Sequence, residues 1–157
     1  MAFKNPNQED YLELESKDFS TYISKTESTV LSKYKTLIIM NNNWLIYPPG
    51  NRMPIDAEYL EIPKKISLFF GLKTFVIGNV FVNDLPREFC ELKQLNELHL
   101  RLAPTSNTDQ VILILKELEK LKKIDLSRSV LSKTEYIKFK KSFADGVVVS
   151  MMNEMNP

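Results

Sequence analysis

Two stretches of the chain repeat each other at a fixed offset. IPKKISLFFGL (62–72) aligns without a gap on LPREFCELKQL (85–95), and Leu72, Phe75 and Ile77 then match Leu95, Leu98 and Leu100, always 23 residues apart. In the second copy the apolar positions Leu85, Phe89, Leu92, Leu95, Leu98 and Leu100 pass from a helix-like spacing into strict alternation, which marks a turn of chain coming round into a strand. A unit this short cannot bury its own apolar face. It has to lie on a neighbouring copy, so the chain is expected to be a stack of such turns.

The series extends in both directions. Tyr34, Leu37 and Ile39 precede the two copies, Leu121, Ile124 and Leu126 follow them, and Val147 and Val149 supply a terminal unit. The spacing predicts five strands near 36–40, 74–78, 97–101, 123–127 and 147–150, parallel and adjacent in sequence order. From Tyr34 to Leu72 the step is 38 residues rather than 23, so a segment around 42–59 is inserted; Pro48, Pro49, Gly50 and Pro54 exclude a helix there, and Trp44 and Tyr47 place large side chains beside a loop. A smaller excursion, 103–107, leaves from the same end of the strands. Helical returns are expected over 109–120, capped by Thr108 or Ser106, and over 133–143, where Ser132 and Glu135 have the spacing of a capping box and Gly146 suits the turn that follows. A capping helix is expected from Ser16 or Asp18 to Lys33, behind an arm or short docking strand at 1–16. The expected organisation is therefore an arm and cap (1–33), the repeat unit (34–152) and a tail (153–157).

The pattern L-x-x-L-x-L-x-x-N, followed by a return of the L-P-x-x-h-x-x-L kind, resembles the leucine-rich repeat family in its short, irregular, bacterial-type or inhibitor-like form. That resemblance covers 34–152. It implies an α/β solenoid with about five parallel strands on a concave face, helices and irregular returns on a convex face, and an N-terminal helical cap. In that family the asparagine at the ninth place bonds backbone groups of the turn after the strand; here Asn42 keeps it, while Val80, Ala103 and Ser129 stand at the equivalent places.

Composition narrows the chemistry. With 21 basic against 20 acidic residues the net charge is +1, which removes the overall attraction that nucleic-acid binders use, so no nucleic-acid partner is expected. Cys90 is the single cysteine and His99 the single histidine, so no intrachain disulfide forms and the usual four-ligand zinc sites are excluded by count. No phosphate-binding loop, dinucleotide fingerprint or calcium loop appears, and no cofactor or metal is expected. Cys90 reads as a small core residue. The N-terminal segment lacks the apolar stretch of a secretory signal, and the longest apolar runs, such as 111–115, fall far short of the roughly 18 to 20 residues that cross a bilayer. A cytoplasmic protein without a membrane partner is expected.

Residues between the core positions of each strand point to the concave face. These are Lys35, Thr36, Ile38 and Met40; Lys73, Thr74 and Val76; Asn96, Glu97, His99 and Arg101; and Lys122, Lys123, Asp125 and Ser127. A rigid sheet carrying mixed polar and apolar side chains is a platform for another protein, and the resemblance implies the same. The expected function is a non-catalytic protein-binding module of the inhibitor or immunity type, which neutralises a partner enzyme or toxin. The expected partner-binding residues are Trp44, Tyr47, Lys73, Glu97, His99, Arg101, Lys123 and Asp125. Trp44 either frames the rim of the face or folds inward to seal the first turns. Two other readings stand beside this one: a hydrolase using His99 with Asp125, neighbours in register but without an evident nucleophile, and a self-associating structural module.

Overall fold

The computed structural model describes residues 9–41, 57–143 and 145–150. Its centre is a six-stranded parallel sheet in strict sequence order: β1 (Tyr11–Glu15), β2 (Thr36–Met40), β3 (Thr74–Gly78), β4 (Glu97–His99), β5 (Lys123–Asp125) and β6 (Val148–Ser150). Four α-helices accompany it among the described residues: α1 (Ser16–Lys25), α2 (Ser28–Leu31), α3 (Thr108–Lys116) and α4 (Lys133–Ser142). Every adjacent pair of strands is parallel; β2 to β6 lie at the five places expected, with β4, β5 and β6 each shorter than predicted, and β1 makes a sixth strand where about five were expected.

Register explains the core. Leu12, Leu37, Phe75, Leu98, Ile124 and Val149 stand side by side across all six strands, and Leu14, Ile39 and Ile77 form a second row. Leu37, Ile39, Phe75, Leu98 and Ile124 are completely shielded from solvent, and Val149 at the end of the row packs on them half-buried. Because side chains alternate along a strand, this one choice of face commits the intervening residues to the other side.

The two aligned return segments adopt the same conformation, which is why they align. Each begins on a proline in extended geometry, Pro63 (φ −72°) or Pro86 (φ −66°), and continues as one short 3-10 helix, Lys64–Leu68 or Arg87–Glu91. Proline fixes φ and gives up a donor that has no partner at a helix start. Ile66 and Phe69 from the first copy, and Phe89 and Leu92 from the second, then enter the core, where Phe75 and Phe89 meet at 5.8 Å between ring centroids.

Several local expectations change. Of the two alternatives for 1–16, an arm or a short docking strand, the strand is found: β1 is a member of the sheet with Leu12 and Leu14 inward. The single helix expected up to Lys33 is two, because Thr26 takes an extended conformation and its hydroxyl donates to the Tyr22 carbonyl, occupying an acceptor at the end of α1. The cap of α3 is Asn107, whose Oδ1 accepts from the Gln110 amide; Ser106 instead turns inward and donates to the Val82 carbonyl. That helix stops at Lys116 rather than continuing to 120, since Leu118 and Leu121 are drawn into the core through a tight turn. The capping box at Ser132 and Glu135 and the left-handed Gly146 (φ 108°) are as expected.

Ser129, at a place where the resemblance puts an asparagine, bonds backbone groups through its side chain. Its buried hydroxyl accepts from the Leu102 amide at 2.9 Å and faces the Leu100 carbonyl at 3.3 Å, tying the turn after β5 to the one after β4. Asn42 lies outside the described residues. Removing a buried acceptor leaves an amide without its partner, so Ser129→Ala is expected to cost about 1–3 kcal/mol. Urea unfolding checks this; a variant as stable as the parent would show that water replaces the hydroxyl there.

Candidate functional site: the open face of the sheet

The face opposite the core is ordered into rows by the same register. One row reads Tyr11, Thr36, Thr74, Glu97, Lys123 and Val148, and the next reads Glu13, Ile38, Val76, His99, Asp125 and Ser150. From β1 to β5 these side chains are half-buried. The left of the face is acidic, its middle is apolar through Ile38, Val76 and Met40, and its right is a network of ion pairs. Met40 lies across Gly78, where a Cβ would run into its sulfur, so the glycine seats that side chain against the sheet.

Four of the expected binding residues come together in that network. Glu97 Oε1 accepts from Lys123 Nζ at 2.8 Å and meets His99 Nε2 at 2.6 Å; His99 Nδ1 lies 3.3 Å from Asp125 Oδ2. The Ser127 amide donates to Asp125 Oδ1 at 2.9 Å, and the Ser127 hydroxyl bonds the same oxygen. Hydrogen bonds from Lys123 and His99 hold the Glu97 carboxyl below its ordinary range, against a smaller opposing effect of burial. For Asp125 burial alone would act upward, but the bonds from Ser127, with the charges of His99 and Lys123, outweigh it and bring the carboxyl down. The Glu97 bond raises the Lys123 ammonium in return. A pocket of about 340 Å³ opens beside this network, walled by Met40, Val76, His99, Asp125, Ser127 and Arg128.

The other expected residues fall elsewhere. Lys73 is exposed just before β3, at the edge of the face. Arg101 is not on the face: β4 ends at His99, and Arg101 is only 7% exposed, with its guanidinium 4.4 Å over the Phe81 ring. The correction has a physical cause. After Leu100 the backbone leaves the sheet to bond Val82 through the Arg101 carbonyl, and the aliphatic stem and planar head then lie on an aromatic surface that alternation along a strand does not anticipate. Trp44 and Tyr47 lie outside the described residues. Ile38, Val76 and Met40 were placed on this face from the sequence, but it is their grouping that makes an apolar centre, and only the register across three strands reveals it. Cys90 is buried, and burial raises its thiol above the ordinary value.

The His99 and Asp125 pair has a definite chemical character. Both imidazole nitrogens face carboxylates, and the Ser127 hydroxyl bonds Asp125 rather than the ring, so the order is serine, aspartate, histidine, glutamate. A general base needs a free nitrogen directed at its nucleophile, and neither ring nitrogen is directed at a hydroxyl among the described residues. Compared with known proteins, the chain matches no family model and no curated protein.

The lowered carboxyls have a stability consequence with a definite sign. A group whose folded value is depressed stabilises fully above its unfolded value and loses that contribution as pH falls through the folded one. For Glu97 the loss therefore begins below about 4.5 and for Asp125 below about 3.8. Glu97→Gln is expected to flatten the acid side of the curve of melting temperature against pH, leaving the neutral region nearly level. An acid limb of unchanged slope would mean that the Glu97 bonds do not persist in solution.

Proposed function

We propose that the chain is a leucine-rich repeat solenoid that binds one protein partner through the open face of its sheet and carries out no catalysis. The observation that supports this most is the apolar centre Ile38, Val76 and Met40, half-exposed on a rigid parallel sheet and bordered by fixed charges. An apolar core with a polar rim is the anatomy of a protein interface. The repeat spacing, the strand order and the paired return segments support the solenoid reading. The face is rigid because each of its side chains stands on a strand whose alternate residues are locked into the core, which lowers the ordering cost of binding.

Within that reading the partner is an enzyme or toxin held inactive in the cytoplasm. An inhibitor of this kind needs no cofactor and no moving part, only a surface complementary to its target. The hydrolase reading lacks support from the network, in which the histidine is engaged at both nitrogens by carboxylates.

Binding through the face is tested by immobilising the chain and comparing it with Ile38→Asp and Val76→Asp, single changes at half-buried positions that place a charge in the apolar centre. A protein retained by the parent and lost by both variants, with melting temperatures held within a few degrees, is the expected result. Trp44→Ala provides a second test of the rim: it is expected to weaken the same partner by at least about 2 kcal/mol without lowering stability. Retention unaffected by either aspartate would remove the face from the interaction.

A further inference from the structure

A parallel sheet in sequence order brings every strand entry to one end, and four of these entries are built alike. The turns before β2, β3, β4 and β5 are each closed by a backbone hydrogen bond across three residues: Tyr34 to Leu31, Leu72 to Phe69, Leu95 to Leu92 and Leu121 to Leu118. Because the strands they feed are in register, the turns are level with one another and span about 14 Å at the usual strand spacing. Gly71 allows the closest approach: a Cβ there would stand 2.6 Å from the Ser32 carbonyl oxygen of the neighbouring turn.

This row carries Lys33, Lys35, Lys73, Lys93, Lys120 and Lys122. Among the described residues none of the six has a carboxylate partner; Lys93 donates to the Glu117 carbonyl and Lys120 to Gln94 Oε1, both neutral acceptors. Outside the row, Lys17, Lys123 and Lys138 are each paired with an acid. The acids beside these turns include Asp10, whose carbonyl bonds the Lys35 amide, and Glu91, Glu117 and Glu119. At the tip of the second turn, Phe70 is 57% exposed, beside Lys35 and Lys73.

We propose that this end of the sheet docks on an anionic lipid membrane, with the lysines over the headgroups and Phe70 entering the interface. Three observations favour that occupant. The basic residues of the row are all lysine, compact points that suit a diffuse negative surface, whereas arginine's planar fork serves specific phosphate and base recognition. The turn tips are level with one another, because the strands they feed are in register. A nucleic-acid strand calls for a series of aromatic platforms to stack successive bases, and the row offers Phe70 alone. The near-zero charge of the whole chain conceals this surface, because it averages the six lysines of this end over 20 acids, most of which lie outside these turns. The surface lies at the end of the strands and adjoins the open face at Lys73.

Co-sedimentation of the full chain with vesicles tests the proposal. Binding is expected to phosphatidylcholine vesicles containing roughly 30% phosphatidylserine, and not to phosphatidylcholine alone, with release as salt rises from about 0.1 to 0.5 M. Lys73→Glu with Lys122→Glu is expected to lower the partition at least about tenfold. Lys64→Glu with Lys133→Glu makes the same change of net charge away from the row and is expected to leave it nearly unchanged. Phe70→Ser, at an exposed position that the fold does not need, is expected to lower it severalfold on the same vesicles. Equal binding to both vesicle types, equal loss in the two double variants, or tighter binding to a single-stranded thymidine oligonucleotide of about twenty residues at the same salt overturns the proposal.

Discussion

The structure depends on one constraint: no single turn of this chain can shield its own apolar residues. Leu98 is wholly buried because Phe75 stands on one side of it and Ile124 on the other, with Phe89 and Leu92 closing the layer beneath. Fully burying a side chain of this size contributes about 1.5–3 kcal/mol, and here each such contribution exists only when the neighbouring turn is in place. Stability is therefore shared along the stack. The end turns are the exposed members, and they differ accordingly: β1 is backed by α1 through Phe19 and Ile23, while β6 leaves Val148 60% exposed.

The same constraint produces the functional surface as a by-product. Fixing the inward row fixes the outward one, because alternation along each strand leaves no other choice. The apolar group at Ile38, Val76 and Met40 is held by a core directly behind it, so it cannot collapse inward to escape water. The charged side of the face is held differently, through side-chain bonds that join β4 to β5 at Glu97, His99, Lys123 and Asp125. These half-buried, solvent-accessible pairs add little to stability. Their effect is to fix the positions of charges around the apolar centre.

Polar groups inside the stack are handled one by one. Ser129 bonds the backbone between β4 and β5 units, and Ser106 bonds the Val82 carbonyl from the loop before α3. The tyrosine hydroxyls of Tyr22 and Tyr34 meet at 2.9 Å between α1 and the entry to β2, and burial, with that bond, pushes the Tyr22 phenol up to about 12. The two serines supply partners where water is excluded, and the tyrosines meet at a partly buried site.

The sequence by itself determined where β2 to β6 lie, their parallel order, the capping box at Ser132 and the inward or outward direction of nearly every residue in those strands, because period and offset are local properties that packing then enforces. The alternation Leu12, Glu13, Leu14, Glu15 in β1 was legible as well, yet too short to separate a strand from a docking arm until Leu37 and Ile39 stood beside it. Tertiary structure alone decided that Arg101 lies over Phe81, that Ser129 and not an asparagine ties the turns, and that the lysines of four separate turns share one end of the sheet. These outcomes join residues about 20 to 90 positions apart, and no local pattern carries the distance between them. What brings them together is the register of neighbouring strands, and register is fixed by the packed core.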